Sequence, residues 1–562
     1  MLNMTSKAAA AAGLASLAAP AAVGQIKIEF LSRYETGLFD AGGAEIVAYD
    51  GTTQRLFVTR SGGRAIDAVC ISDPSNPVLD FQIDIGGIGS GDITSVAVSK
   101  DGIVAAAIEG GDQLPGFAAF FNADGELYGV VQVGHLPDMI TFTPDGAFAL
   151  TANEGEPNND YTLDPQGSVS IINVPRRNPY AFGEPWADRM VRTVSLHVLN
   201  DKVLDESVRV FGPDASVAQD LEPEFIAVGP DSEIAYVSCQ ENNCLLVIDI
   251  SRAKLTDVIA LGFKDHSLPG NGLDASDRDN AINITNWPVF GMYQPDSIAT
   301  FKSGGQTYLV TANEGDAREY EGDPGFVEVE RIGDILLDTA AFPDAATLQL
   351  DENLGRLEVT NTLGDPDADG DFDSLFSFGA RSFSVHTADG ARIFDSGDAL
   401  AKITVAYRPK NFNSNGDEND GFDGRSDDAG PEPEAITTGI INGVPHIFVG
   451  LERFGGVAVY EASDPSNPTF VDYINTRNFD EPAASGSGGD LSPEGIVFIG
   501  AEQSPTRHPL IAVAYEISGT TSIYAIRGSD HTDPANRNMT GTSSEPDSGS
   551  SSPAVCDSIA PR

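Results

Sequence analysis

The strongest constraint on this chain is a recurring unit: an acid, a short apolar strand, a turn, and a second strand ending in another acid. It reads AEIVAYDGTTQRLFVTRS at 44–61, ITSVAVSKDGIVAAAIE at 93–109, LPDMITFTPDGAFALTANE at 136–154 and EPEFIAVGPDSEIAYVSCQEN at 222–242. It returns as QPDSIATFKSGGQTYLVTANE at 294–314, EPEAITTGIINGVPHIFVGLE at 432–452 and SPEGIVFIGAEQSPTRHPLIAVAYE at 492–516. Between the copies lie short β-rich runs punctuated by Gly, Pro, Asp and Asn, and amphipathic helices are scarce. The shortest intervals match the roughly 40–50 residues of a four-stranded blade. An all-β, seven-bladed β-propeller is therefore expected. IKIEFLSRYET at 26–36 precedes the first copy as an unpaired strand, and the last copy ends after TTSIYAI with three strands of its own. The N-terminal strand should complete that last blade and so remove free sheet edges.

In strand order, the first acid begins the innermost strand and the second ends its antiparallel neighbour, so both sit at the same end of a blade. The first set is Glu45, Asp138, Glu224, Asp296, Glu434 and Glu494, with Thr94 beside Asp92 in the second blade. The second set is Glu109, Glu154, Glu241, Glu314, Glu452 and Glu516, with Ser61 in the first blade. A radial arrangement gathers them around one mouth of the central channel. A lone surface carboxylate is ordinarily a solvated charge, and acids at strand ends also cap turns; recurrence in six of seven units favours one shared site. Converging acids repel unless protonated, paired or neutralised, and this chain sets 33 Lys and Arg against 84 Asp and Glu, a net charge of −51. Hard divalent cations with oxygen ligands, Ca²⁺ first, fit best. The same charge argues against nucleic acid and anionic membranes as partners.

Residues 155–167, 252–293, 315–378 and 396–432 read as long acidic loop insertions, all expected over that mouth. In DPDADGDFDS, Asp365, Asp367, Asp369 and Asp371 alternate around Gly370 like the start of a calcium loop, but Phe376 stands where a bidentate Glu would close it. In NFNSNGDENDGFDGRSDDAGPEPE, Asn413, Asn415 and Asp417, then Asp420 and Asp423, recur at cation-ligand intervals; acidic turns and low-complexity acid are the competing readings. In the two TANEG copies, Asn153 and Asn313 are expected to add neutral oxygens beside Glu154 and Glu314. Arg318, Arg381, Arg425 and Arg453 can pair with these acids or grip a phosphate or carboxylate. His266, beside Asp265, has no second ligand to make a zinc signature. No nucleophile elbow, HExxH helix, P-loop or dinucleotide-binding glycine pattern is present, so spacing assigns no catalytic residue, and Arg318, Arg425 and His266 stand only as candidates.

Lys7, the apolar run 8–19 and Ala19-Pro20-Ala21 read as a secretory signal over 1–24. The propeller then occupies 25–528, and the polar stretch 529–562 reads as disordered, with no anchor expected in it. No later run reaches the roughly 20 apolar residues of a membrane span. Cys239 and Cys244 flank the hairpin tip QENN and can face each other across two strands, leaving Cys70 and Cys556 to tie the tail down; free thiols are the alternative.

Several long motifs add a resemblance. TANEGEP with DPQGSVSII, DLEPEFIAV with QENN, KDHSLPGNGLDASDRD with NWPVFGMYQPD, TANEGDAREY, DADGDFDSLFSFGARSFS and FNSNGDENDGFDGRSDDAGPEPE follow one another within about 26–527. In these the chain resembles the choice-of-anchor I family, bacterial exported propellers related to the mesenchyme-specific cell-surface glycoproteins of biomineralising animals. The resemblance implies a calcium-associated propeller that is secreted, periplasmic or peripherally held at the cell surface. Some members carry the label alkaline phosphatase. Two functions follow as expectations. One is a binding protein whose metal-lined acidic face takes an extracellular or surface ligand, phosphorylated ligands included. The other is a calcium-dependent phosphoester hydrolase in which Ca²⁺ polarises the phosphate and Arg318 or Arg425 stabilises charge. A passive acidic module is the third.

Overall fold

Each two-strand unit of the sequence recruits two further strands. In the computed structural model, which describes residues 26–175 and 190–528, the result is seven four-stranded antiparallel sheets. The expected signal over 1–24, the tail over 529–562 and Cys556 lie outside the described residues. The innermost strands are Val47–Asp50, Ile93–Val98, Pro137–Phe142, Ile226–Val228, Ile298–Ser303, Pro433–Ile441 and Pro493–Ile499. Each touches the next in chain order and the last returns to the first, and residues of all seven surround an axial cavity of about 330 Å³. The fold is an all-β propeller.

Second strands such as VAAAI and LIAVAY are continuous apolar runs and are buried throughout, because each sheet is covered on both faces by its neighbours. The core therefore lies between sheets. Leu150, Val169 and Ile171 of the third sheet pack with Ile226, Val237 and Leu246 of the fourth, and each such side chain gains about 1.5–3 kcal/mol on burial. Ile26–Glu35 pairs antiparallel with Thr520–Gly528, so the N-terminal strand closes the last sheet. Arg33 of that strand donates to Asp490 at 2.6 Å, a buried carboxylate that also accepts from Thr520 and Ser522.

The insertions differ from the expected loops. Phe263–Asp265, Phe290–Met292, Phe376–Ser377, Glu358–Thr360 and Val329–Arg331 form a five-stranded sheet of their own. Leu273, Val289, Ile332, Leu354 and Leu357 make its core. Strands of two or three residues are too short for alternation to be read from sequence. Residues 254–260, assigned above to an insertion, are the fourth strand of the fourth sheet.

Cys70 is disulfide-bonded. Cys239 and Cys244 do stand opposite one another in register, yet they are free thiols. Both are buried in the apolar layer between the third and fourth sheets, where they pack as small hydrophobes. Among the described residues no helix is long and apolar enough to cross a membrane.

Candidate metal centre

The sequence x-Pro-acid builds the mouth. In three sheets the register slips where the first acid stands: between Pro137 and Met139 at Asp138, between Pro433 and Ile436 at Glu434, and between Pro493 and Gly495 at Glu494. Thr94 holds the equivalent place in the second sheet. A bulge turns its extra residue away from the pleat. The residue before Pro137, Pro295, Pro433 and Pro493 is left-handed in each case: Leu136 (φ 46°), Gln294 (φ 40°), Glu432 (φ 49°) and Ser492 (φ 59°). Such a conformation costs a non-glycine residue on the order of 1–3 kcal/mol, and the surrounding blades hold it four times over.

The second acids follow the ends of second strands. Asn153 and Asn313 do not stand beside them as ligands, contrary to expectation. Asn153 accepts from Thr151 at 2.8 Å and donates to Ser170 at 3.0 Å; Asn313 accepts from Thr311 at 2.7 Å and donates to Ser384 at 2.9 Å. Both amides are fully buried inside their blades. The glycine that follows Glu314 has φ 101°, and a Cβ there would come within 2.0 Å of the Gly379 nitrogen. The chain can therefore turn away immediately after the acid only with glycine.

The carboxyls converge. Electrostatic coupling runs from Glu45 to Asp138, on to Glu154, Glu224, Asp296, Glu314, Glu434, Glu494 and Glu516, and back to Glu45. Burial first, and then mutual repulsion, pushes Asp138 up to about 7 and Asp296 up to about 8. Burial raises Glu452 to about 7 against the opposing pull of Arg453. Glu154, Glu224, Glu314, Glu434 and Glu494 are pushed well above the ordinary carboxylate range for the same reasons.

Two groups are tight enough for a single ion. Oxygens of Asp296, Glu314 and Glu434 lie within 4.8 Å of one another, as do those of Glu314, Glu432 and Glu452. Ligands about 2.3–2.6 Å from one Ca²⁺ have separations of this order. Both groups line a cavity of about 520 Å³ that also presents Gln240, Asp316, Arg425 and Arg453. Gln240 donates to Glu314 at 3.0 Å. Glu432 is gripped by Arg425 and Arg453, each at 2.6 Å, and Arg453 also reaches Glu452 at 2.6 Å. Among the described residues no Lys or Arg forms an ion pair with Asp296, Glu314 or Glu434. Oε2 atoms of Glu224, Glu241 and Glu434 are buried without a hydrogen-bond partner. Glu432 was missed in the sequence because only the acid after each proline was counted; its signal was the doubled acid in EPE.

The remaining candidates separate. Asp365, Asp367 and Asp369 bring oxygens within 4.8 Å, and Asp365 accepts from the backbone nitrogens of Asp369 and Gly370 at 3.2 and 3.1 Å. Asp371 is outside that group and donates its backbone N–H to Asp369. Asn413 is buried and bonded to Ser426, Asn415 accepts from Gly416, and Asp417 is exposed. Arg318 is buried between Asp220 at 2.6 Å and Glu222 at 2.7 Å, over the Phe211 ring. His266 is buried, its Nδ1 against the Asn271 carbonyl at 2.7 Å, and burial with Lys264 nearby keeps it neutral down to about 3. Neither residue lines the cavity. Of the four insertions, 315–378 and 396–432 supply lining residues, while 155–167 and 252–293 supply none; 155–167 meets 315–378 where Tyr320 donates to Glu156 at 2.8 Å.

Known proteins align with this chain as follows. Gigasin-3a of Magallana gigas is 32% identical over 196 residues, 33% of this chain and 69% of that protein. The mesenchyme-specific cell surface glycoprotein of Strongylocentrotus purpuratus is 29% identical over 285 residues; the match covers 45% of this chain but only 36% of that protein. Among solved structures, the β-propeller domain of Cps50 (Swd1) from Myceliophteria thermophila aligns at TM-score 0.40 and 9% identity, over 88% of this chain and 100% of that one. That likeness is too distant to add to the topology above. The sequence profile of the choice-of-anchor I domain matches residues 45–465.

Proposed function

The chain belongs to the choice-of-anchor I family, and from that premise we propose that it is a secreted calcium-binding propeller acting as a binding protein at or outside the cell surface. Ca²⁺ sits in the acidic mouth and bridges to an anionic group of the partner. The observation that carries this reading is the trio Asp296, Glu314 and Glu434, whose oxygens lie within 4.8 Å of one another and which form no ion pair with a Lys or Arg among the described residues. The Glu434 Oε2 left without a donor supports it further. Likeness to a cell surface glycoprotein supports the location.

Chelator-stripped protein titrated with Ca²⁺ tests it. A site occupied at a hundred times its Kd stabilises the fold by about 2.7 kcal/mol, which a thermal melt reads directly. An unchanged melting temperature leaves the acids a passive, solubilising role.

Arg425 and Arg453 line the same cavity as the trio, and this favours phosphoester hydrolysis as the second reading. Turnover of a generic phosphomonoester with and without Ca²⁺ separates the two. Activity that survives Glu154→Gln combined with Glu314→Gln lies outside the mouth.

A further inference from the structure

The segment KDHSLPGNGLDASDRDN at 264–280 precedes the fifth sheet, and NFNSNGDENDGFDGRSDDAGPEPE at 411–434 follows it. Arg381 joins them, donating to the backbone oxygens of Asp274 at 2.7 Å and Ser426 at 3.0 Å, and to that of Asp428. At this junction three oxygens have no hydrogen-bond partner: Asp274 Oδ1, Asp423 Oδ2 and Asn413 Oδ1. Their residues are 2%, 1% and 1% exposed.

The other polar atoms of these side chains are fixed. Asp274 Oδ2 accepts from the Asn283 backbone N–H. Ser426 Oγ donates to Asp423 Oδ1 at 2.5 Å and accepts from Asn413 Nδ2 at 2.8 Å, so one hydroxyl sets the carboxylate and the amide side by side. Asp279 adds negative charge near both carboxyls. Burial first, then the neighbouring acids, pushes Asp423 up to about 8 and Asp274 up to about 6.

A buried carboxylate oxygen without a donor is strongly unfavourable, and here two occur together beside an orphaned amide oxygen. Arg381 does not satisfy them: its Nη atoms are engaged by backbone carbonyls, and its Nε is buried without a partner of its own. We propose that Asp274, Asp423 and Asn413 bind one Ca²⁺ that staples the two insertions together. The donors are two carboxylates and an amide carbonyl, all hard oxygens, and water completes the coordination. A lone water is a poorer fit, because it would face a net negative cluster. None of these three residues lines the mouth cavity, so this site stands or falls independently of the function proposed above.

Ca²⁺ binding to the full-length, chelator-stripped chain, counted by equilibrium dialysis, tests the assignment. Asp423→Asn and Asp274→Asn should each bind one ion fewer than the parent, and Glu434→Gln in the mouth should keep the ion that they lose. Unchanged stoichiometry in both Asn variants overturns the site. Should those variants fail to fold, crystals of the parent grown in Ca²⁺ decide: an anomalous peak between Asp274 and Asp423 supports the proposal, and a water alone at that place refutes it.

Discussion

Thr151 donates its hydroxyl proton to Asn153 at 2.8 Å, and Thr311 makes the same bond to Asn313 at 2.7 Å. In each copy the amide nitrogen then crosses to two serines of the third strand, Ser168 and Ser170 or Ser382 and Ser384. The repeated TANEG is therefore two devices in five residues: Thr and Asn tie the blade internally, and Glu alone faces the mouth.

Asn313→Ala should leave buried hydroxyls without their partner and cost about 1–3 kcal/mol. Urea denaturation reads this as a lower midpoint at unchanged m. Because the amide is held inside the blade and does not face the mouth, any Ca²⁺ affinity of the folded variant should stay within about twofold of the parent, a change of roughly 0.4 kcal/mol.

Gly315→Ala meets both a φ of 101° and a Gly379 nitrogen 2.0 Å from the new Cβ. A loss of roughly 3 kcal/mol or more is expected. Gly304 is the control: its φ is 58° with nothing within 4 Å of the new atom, so Ala there should cost about 1 kcal/mol. Thermal or denaturant melts of the two variants compare them, and equal losses would show that the close approach of Gly315 to Gly379 is unimportant.

Stability of the calcium-free protein should depend on pH through the mouth. Asp296 is raised to about 8 and Glu452 to about 7 in the fold, against roughly 4 when unfolded. A raised folded value means that their contribution is fully present below about pH 4 and is lost as pH rises through 7 to 8. Denaturant midpoints between pH 5 and 9 should fall in chelator and fall much less in saturating Ca²⁺.

Removing Arg453 deprives Glu432 and Glu452 of a shared cation. Arg453→Met should destabilise the calcium-free protein by about 1–3 kcal/mol, the arginine being partly exposed. It should also tighten Ca²⁺ binding, on the order of tenfold, since a like charge near the ion is gone. Calorimetric titration of the variant gives both the sign and the size.

Much of the architecture was legible because it repeats. An alternation of acid, apolar strand, turn and second strand is a local pattern, and local patterns survive in sequence as period and spacing. The closure of the last sheet by Ile26–Glu35 followed from counting strands, and Glu314, Asp296 and Glu434 followed from their equivalent places in the unit. Contacts between segments far apart in the chain were not legible. Nothing local marks Glu432 as the shared partner of Arg425 and Arg453, Arg318 as locked between Asp220 and Glu222, or Asp274 as the neighbour of Asp423. The five-stranded insertion sheet was hidden for the same reason, its strands being two or three residues long and held by partners distant in sequence. Sequence alone determined which acids recur and at which end of each blade they stand, because strand pairing is a short-range rule. Only the tertiary structure decided which of them share a centre, because that depends on where bulges and buried arginines aim side chains across the closed ring.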